Sequence, residues 1–383
     1  MKILWLVPLI LGDRLQITSR NELARSLRYR GHEISTVVGL RDNTLKVDGF
    51  SSVKYVRMTP RNVIRGIKFH LTMLFSLWHT EAEIILFGTS SAHLLPFSFL
   101  INYFRKNRIL VLDIRTVPVD IPPGWNRKFQ MLRYYFALKL ANRFCDGVTV
   151  ITPMLLKAVE PYLNRISKKI GIWTSGVRFE DFKSDGPSMR KILGLQYKKV
   201  LFYHGVLSPN RGIQNAIRAV ALLRQQIPDL VFLLVGDGEG MQEFTNLAKE
   251  LNISDRIIIT GRVAYEKIAK YVRTADVGIL PFPAMRCWEV SSPIKLMEYL
   301  AMKVPVIATD IQAHRTILAN TGGGFLIPNN NPTVIADCIR QVLYHGQKIF
   351  KEIPIQKNLE ELISWNAQAK KLEAFLENLI KNN

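Results

Sequence analysis

Acidic residues are scarce in this chain of 383 residues: 31 Asp and Glu stand against 52 Lys and Arg, a formal charge of +21. Such an excess leaves open an anionic membrane surface, a nucleic acid or an acidic substrate as partner, beside the plain reading of charge kept for solubility. Cysteine is scarcer still. Cys145, Cys287 and Cys338 are widely spaced and odd in number. That excludes a disulfide framework and a zinc-type ligand spacing, and it favours a reducing compartment. No Asp-x-Asp, Gly-x-Ser-x-Gly or Walker loop occurs, so metal-diphosphate, hydrolase-elbow and P-loop chemistries lose their usual signatures. Membrane spans are also missing. Residues 84–104, IILFGTSSAHLLPFSFLINYF, lack charge, but GTSSAH and Pro96 in their middle predict a strand, a loop and an apolar helix. The opening MKILWLVPLILG starts like a signal peptide but has no small-residue cleavage site, and Asp13 and Arg14 follow at once. It reads as a first buried strand.

What is present is a twice-repeated alternation of strands and helices. The length suggests two domains. The first half alternates from Ile3 to about Trp173, with strands expected near 3–8, 32–39, 83–87, 109–113 and 147–151. After the polar stretch Arg178–Ser188 the pattern restarts, with strands at 199–204, 230–235, 256–259, 277–280 and 304–308. Such alternation implies parallel sheets covered on both faces, with ligands at the carboxyl ends of the strands. Residues 359–381 read as one long terminal helix. The charge is uneven: residues 1–180 carry 27 Lys and Arg against 12 Asp and Glu, and residues 181–383 carry 25 against 19.

Several segments carry chemistry. In CWEVSSPIKLMEYLAMKVPVIATD (287–310) a helix should begin at Ser292 or Pro293, with Ser292 as N-cap, and a strand follows. The unpaired N–H groups of such a helix start suit a diphosphate. Glu298, one to two turns in, is placed to reach a ribose; read alone it is an ordinary surface glutamate, and the surrounding segment is what favours the ribose. In YHGVLSPNRGI (203–213), Gly205 permits close backbone approach and Arg211 offers a cation for a leaving diphosphate, or is a turn arginine. LLVGDGEG (233–240) lacks the full dinucleotide spacing and reads as a structural turn. In LDIRTVPVD (112–120), Asp113 and Arg115 end a strand, as either a structural pair or site residues. His93 reads as a structural loop residue.

The segments Ser292-Pro293-Ile294-Lys295-Leu296-Met297-Glu298-Tyr299 and Pro305-Val306-Ile307-Ala308 resemble the retaining glycosyltransferases of family 4. The resemblance implies the GT-B fold, an α/β architecture of two Rossmann-like domains facing a central cleft, with the C-terminal helix crossing back to the N-terminal domain. It implies domains at 1–180 (plus 361–383) and 188–360. Glu298 matches the family's ribose-binding glutamate. The sugar-binding glutamate, separated from it by seven residues, is replaced by Val290, with Glu289 one position early to orient the sugar. Arg211 matches the second basic diphosphate contact; the first falls on Val206. The resemblance further assigns Gly12, Gly205, Ser292, Pro293 and Ile294 to the donor diphosphate and Arg262 and Val263 to the base. It puts Arg115 where many relatives have a His near the donor. No metal and no cofactor are expected, the donor being a substrate.

The implied activity is transfer of a sugar from a nucleoside-diphosphate sugar to a glycan or lipid-linked acceptor with retention, in cell-surface polysaccharide or glycolipid synthesis. Two alternatives stay open: a sugar-nucleotide epimerase of similar architecture, and a decayed membrane-binding relative. Residues 61–80 place Val63, Ile64, Ile67, Leu71, Leu74, Phe75 and Trp78 on one helical face, and 126–144 is basic and aromatic. The expectation is that the apolar stripe packs on the sheet while the cations face anionic lipid, giving a cytoplasmic protein held peripherally at the inner face of the membrane. No nucleic-acid-binding motif is present.

Overall fold

The structure is a computed structural model that describes residues 1–11, 17–40, 46–58, 63–104, 108–118, 124–166, 169–352 and 358–382. The chain divides into two compact units. The first comprises Met1–Gly176, Val290–Ser292 and Trp365–Asn383, and the second Val177–Glu289 and Pro293–Ser364.

The first unit runs β1 (Lys2–Leu11), α1 (Ile17–Tyr29), β2 (Glu33–Leu40), β3 (Ser52–Arg57), α2 (Val63–His79), β4 (Ile84–Gly88), α3 (Leu95–Phe104), β5 (Ile109–Ile114), α4 (Trp125–Phe144), β6 (Gly147–Val150), α5 (Pro153–Val159) and β7 (Ile170–Ile172). Its sheet is parallel, in the order β3-β2-β1-β4-β5-β6-β7. Strands β4 and β5 are buried along their whole length, as apolar runs covered on both faces must be. The expected reading of 84–104 as strand, loop and helix is what forms, and no helix among the described residues is long and apolar enough to cross a membrane.

The second unit runs β8 (Lys199–His204), α6 (Ile213–Leu222), β9 (Leu230–Val235), α7 (Met241–Glu250), β10 (Ile257–Ile259), α8 (Tyr265–Val272), β11 (Val277–Leu280), α9 (Arg286–Glu289), α10 (Ile294–Ala301), β12 (Val306–Thr309), α11 (Gln312–Thr321), β13 (Gly324–Ile327), α12 (Pro332–Glu352) and α13 (Leu359–Ile363). Its sheet is also parallel, ordered β10-β9-β8-β11-β12-β13. The chain then returns to the first unit as α14 (Trp365–Lys381), which packs on α1; there Glu373 accepts hydrogen bonds from Arg30 and lies 2.7 Å from His32 Nε2.

Three expectations are corrected. The terminal segment is two helices, not one: Ser364 is extended, and the carbonyl of Ile363 turns to accept from Val177 N–H (2.8 Å). Helix α11 and strand β13 were not anticipated; α11 is a polar mixture and β13 a four-residue edge strand, so neither carries a strong period. Of the apolar stripe of α2, Leu74 packs against the core but Ile67, Leu71, Phe75 and Trp78 do not, and the side chains of Val63 and Ile64 lie outside the described residues. Phe69, Met73, Ser76 and Leu77 face the sheet, whereas Ile67, Leu71, Phe75 and Trp78 are exposed. Both rows follow helical spacing, and the sheet takes the row of Phe69, Met73 and Leu77, at i, i+4, i+8.

Candidate active site

In the second sheet the strand order reverses between β8 and β11, the kind of point where open α/β sheets bind ligands. The loop after β8 begins at Gly205, whose φ of +107° suits glycine. A Cβ built on Gly205 would lie 3.0 Å from Lys295 Nζ, and one on Gly236 would lie 1.9 Å from Gly205 O. The ends of β8, β9 and β10 therefore close to backbone contact: Gly205 N–H donates to Val235 O (2.8 Å) and Gly236 N–H to Gly261 O (3.0 Å).

Arg211 ends the short turn 209–211, and its guanidinium carbon lies 4.7 Å from the Trp288 ring centroid and 5.9 Å from that of Phe282. Trp288 belongs to α9, just after β11, and its indole N–H donates to Asn210 O (3.0 Å), tying the turn to the ring that Arg211 stacks on. Lys295, in the first turn of α10, puts Nζ 5.2 Å from the Tyr203 centroid and 5.8 Å from that of Phe282. Two cations thus share one aromatic ring. Lys295 was not among the residues singled out from the sequence; its signal was a lysine in a helix start where the dipole disfavours cations.

Glu298 is 1% exposed. Its Oε1 accepts from Tyr265 O–H (2.8 Å), and its Oε2 lies 3.0 Å from His204 Nε2 without hydrogen-bond alignment. Beneath it, His204, Phe202 and Tyr299 pack their rings together, and Tyr299 O–H accepts from His204 N–H (3.3 Å). His314 is fully buried. Its Nδ1 lies 2.8 Å from Thr309 O and donates there, which leaves Nε2 as the acceptor nitrogen, without a hydrogen-bond partner among the described residues. Burial lowers its pKa to about 4, with Lys295 adding to the effect and the Thr309 bond opposing it.

The remaining residues fall elsewhere. Glu289 is half-buried, and its Oε2 accepts from Gln312 N–H (2.6 Å), capping α11 from outside because Ile311 at the N-cap has no acceptor side chain. Val290 lies in the apolar core of the first unit and its carbonyl accepts from Thr152 O–H (2.8 Å). Ser292 is not the N-cap of α10. Its hydroxyl accepts from Ser175 N–H (3.0 Å), and Pro293 holds the cap position with no side-chain bond. Ile294 opens the helix, half-buried; Arg262 is exposed and Val263 half-buried, in the loop after β10. Gly12 lies outside the described residues.

In the first unit, beyond β5, the Arg115 guanidinium carbon lies 3.4 Å from the Trp173 ring centroid and Nη1 donates to Trp173 O (2.9 Å), while Nε and Nη2 have no hydrogen-bond partner among the described residues. Asp113 accepts from Thr149 O–H (2.9 Å) and lies 4.0 Å from Arg20. Burial lowers the Arg115 pKa to about 9 against the pull of Asp113, so it stays charged at neutral pH. His93 stacks 5.0 Å from His70, and burial lowers its pKa.

Residues 186–362 match the family Glycosyl transferases group 1. The matched segment holds Arg211, Lys295 and Glu298. An uncharacterized glycosyltransferase of Methanocaldococcus jannaschii is 23% identical over 89% of this chain and 86% of its own. A UDP-Gal:alpha-D-GlcNAc-diphosphoundecaprenol alpha-1,3-galactosyltransferase of Escherichia coli is 29% identical, over 43% of this chain and 42% of its own. Among solved structures, Anabaena HepE in complex with UDP-glucose superposes with a TM-score of 0.76 at 18% identity, over 99% of this chain and 100% of that one. The overall fold is GT-B. Among the described residues no group of three or more His, Cys, Asp or Glu is placed to hold a metal ion.

Proposed function

We propose that the protein transfers a sugar from a nucleoside-diphosphate sugar to a hydroxyl of a glycan or lipid-linked acceptor, with retention of anomeric configuration. The observation that carries this reading is Arg211, stacked on Trp288 at the switch point of the segment that matches the group 1 family. A fixed guanidinium there stabilises the charge that grows on the leaving diphosphate. The N–H groups at Ile294 add the dipole of α10, and Gly205 lets the backbone approach. Glu298, held through Oε1 by Tyr265, offers Oε2 to a ribose hydroxyl. Arg262 and Val263 flank the base. The acceptor hydroxyl attacks the anomeric carbon from the face the diphosphate leaves, and a donor phosphate oxygen takes its proton. In this reading the cations do the work of a divalent metal.

The same reading seats the protein peripherally on the inner face of an anionic membrane. All crossovers from β3 through β6 run in one direction across the first sheet, so α2, α3 and α4 cover one of its faces. The outer surface of that layer is apolar: Phe75 and Trp78 on α2, Phe99, Tyr103 and Phe104 on α3, Trp125, Phe129 and Leu132 on α4 are all exposed. Exposed Lys68, Arg127, Lys128, Arg133 and Lys139 lie among them. Aromatic rings amid cations fit an anionic bilayer interface, and the undecaprenol-linked substrate named for the E. coli relative is of matching kind.

The test is release of nucleoside diphosphate from UDP-, GDP- and ADP-sugars, with and without lipid extract. Turnover with one base, abolished in Arg211→Ala, supports the reading; no turnover and no nucleotide binding by the folded protein overturns it.

A further inference from the structure

We infer that Lys295 is the second cation of the diphosphate site, delivered from helix α10 in place of a basic side chain at position 206. The inference rests on the donor reading above. The loop after β8 has Val206 where the family resemblance expects a basic residue directly after the glycine. Val206 is half-buried, and its carbonyl accepts from Tyr203 O–H (3.2 Å). No charge comes from that position. Lys295 brings one to the same place from a different element. Its Nζ lies 3.0 Å from where a Gly205 Cβ would stand, and its Cε 3.1 Å from it, so the ammonium fills the space a side chain at 205 would occupy.

Three observations converge. First, α10 has no acidic residue in its first turn, where acids are favoured, and has a lysine there instead. Second, Lys295 and Arg211 both approach the Phe282 ring, at 5.8 and 5.9 Å from its centroid. A multiply charged anion beside that ring is within reach of both cations. Third, both side chains are only half-buried, so a ligand reaches them. The division of labour follows from chemistry. Arg211 is a rigid planar fork fixed on Trp288, and Lys295 is a compact point charge on a flexible stem. Together they recognise a diphosphate in preference to a monophosphate. Lys295 is thus a binding residue for the leaving group.

The experiment measures affinity for UDP, GDP and ADP and for the matching monophosphates, in wild type, Lys295→Ala, Lys295→Gln, Val206→Arg and the Val206→Arg/Lys295→Ala double variant. Charge-assisted phosphate contacts are strong enough to predict a roughly tenfold to hundredfold loss of diphosphate affinity in both Lys295 variants, with monophosphate affinity changed less than about threefold. Val206→Arg should restore most of the loss in the Lys295→Ala background. Melting temperature without ligand is measured alongside, and Lys295→Gln keeps the stem if the alanine variant is unstable. Undiminished diphosphate affinity in folded Lys295→Gln overturns the role of Lys295 while leaving the donor reading intact. Absence of diphosphate binding in the wild type overturns both.

Discussion

The two units share an architecture and differ in what they leave on the surface. In the second, exposed large apolar residues are scattered singly: Ile192, Tyr197, Leu222, Met285, Leu326 and Tyr344 lie on different elements. Its α6, α7 and α8 bury one stripe and turn polar residues outward, the ordinary arrangement for helices on a sheet. In the first, three consecutive helices on one sheet face carry large exposed apolar residues beside exposed cations, and Trp125 and Tyr103 are 88% and 81% exposed. Scattered residues need no explanation, but a contiguous apolar surface does. The excess of positive charge also falls mainly in the first half of the chain. In the proposed reading, the same sheet plan serves a ligand at the strand ends in one unit and a surface on the helix layer in the other.

That contrast is open to experiment. The largest expected effect is in the second unit. Arg211→Ala should lower donor turnover by roughly a hundredfold to a thousandfold, the usual consequence of removing a transition-state charge partner. Vesicle binding should be unchanged. The converse variant combines Phe75→Ser, Trp78→Ser, Phe129→Ser and Leu132→Ser. Sedimentation with anionic vesicles should fall at least about tenfold, since each lost apolar anchor contributes on the order of 1 kcal/mol or more. Donor hydrolysis in solution should stay the same. Unaltered vesicle binding would remove the distinction between the units.

Acid should separate them too. His314 in the second unit is neutral when folded, with its pKa lowered to about 4 from an ordinary 6.5. The unfolded chain takes up the proton first, so stability is full above pH 6.5 and declines as pH falls toward 4, by roughly 3 kcal/mol in all. His314→Asn should flatten that slope. In the first unit, burial would raise the Glu373 pKa, but hydrogen bonds from Arg30 and His32 hold it below the usual 4.5, so that contribution persists above 4.5 and is lost only at lower pH. Hydrogen exchange at pH 5 should therefore show the second unit loosening before the first. The smallest expected effect is at Glu289. Glu289→Ala should cost about 1 kcal/mol, as loss of a helix cap, with turnover otherwise retained. A collapse of turnover in a folded variant would give that carboxylate a place at the sugar.

Much of this was legible beforehand, for identifiable reasons. Fully buried parallel strands such as IILFG and LVFLLV are continuous apolar runs, and the helices between them end at glycines or charge clusters, so alternation and sheet type follow from pattern. Arg211 and Glu298 were visible as motif positions. Lys295 was not, because nothing local says that its ammonium folds back against Gly205, 90 positions earlier in the chain. Glu289 and Ser292 were assigned chemistry from their neighbours in sequence, whereas the structure uses them for a helix cap and a Ser175 contact. Most of the described α2 stripe was placed on the wrong side because the helix has two apolar rows of equal period.

The amino-acid sequence by itself determined the two α/β units, the parallel sheets, the excess positive charge and the glycine loop after β8. These depend on periodicity, composition and local backbone freedom, all of which are properties of neighbouring residues. Tertiary structure alone decided which row of α2 meets the sheet, which carboxylate caps α11, and which cation stands beside Gly205. Each of those is a choice between chemically similar groups, and it is settled by contacts between segments far apart in the chain, whose packing no local pattern encodes.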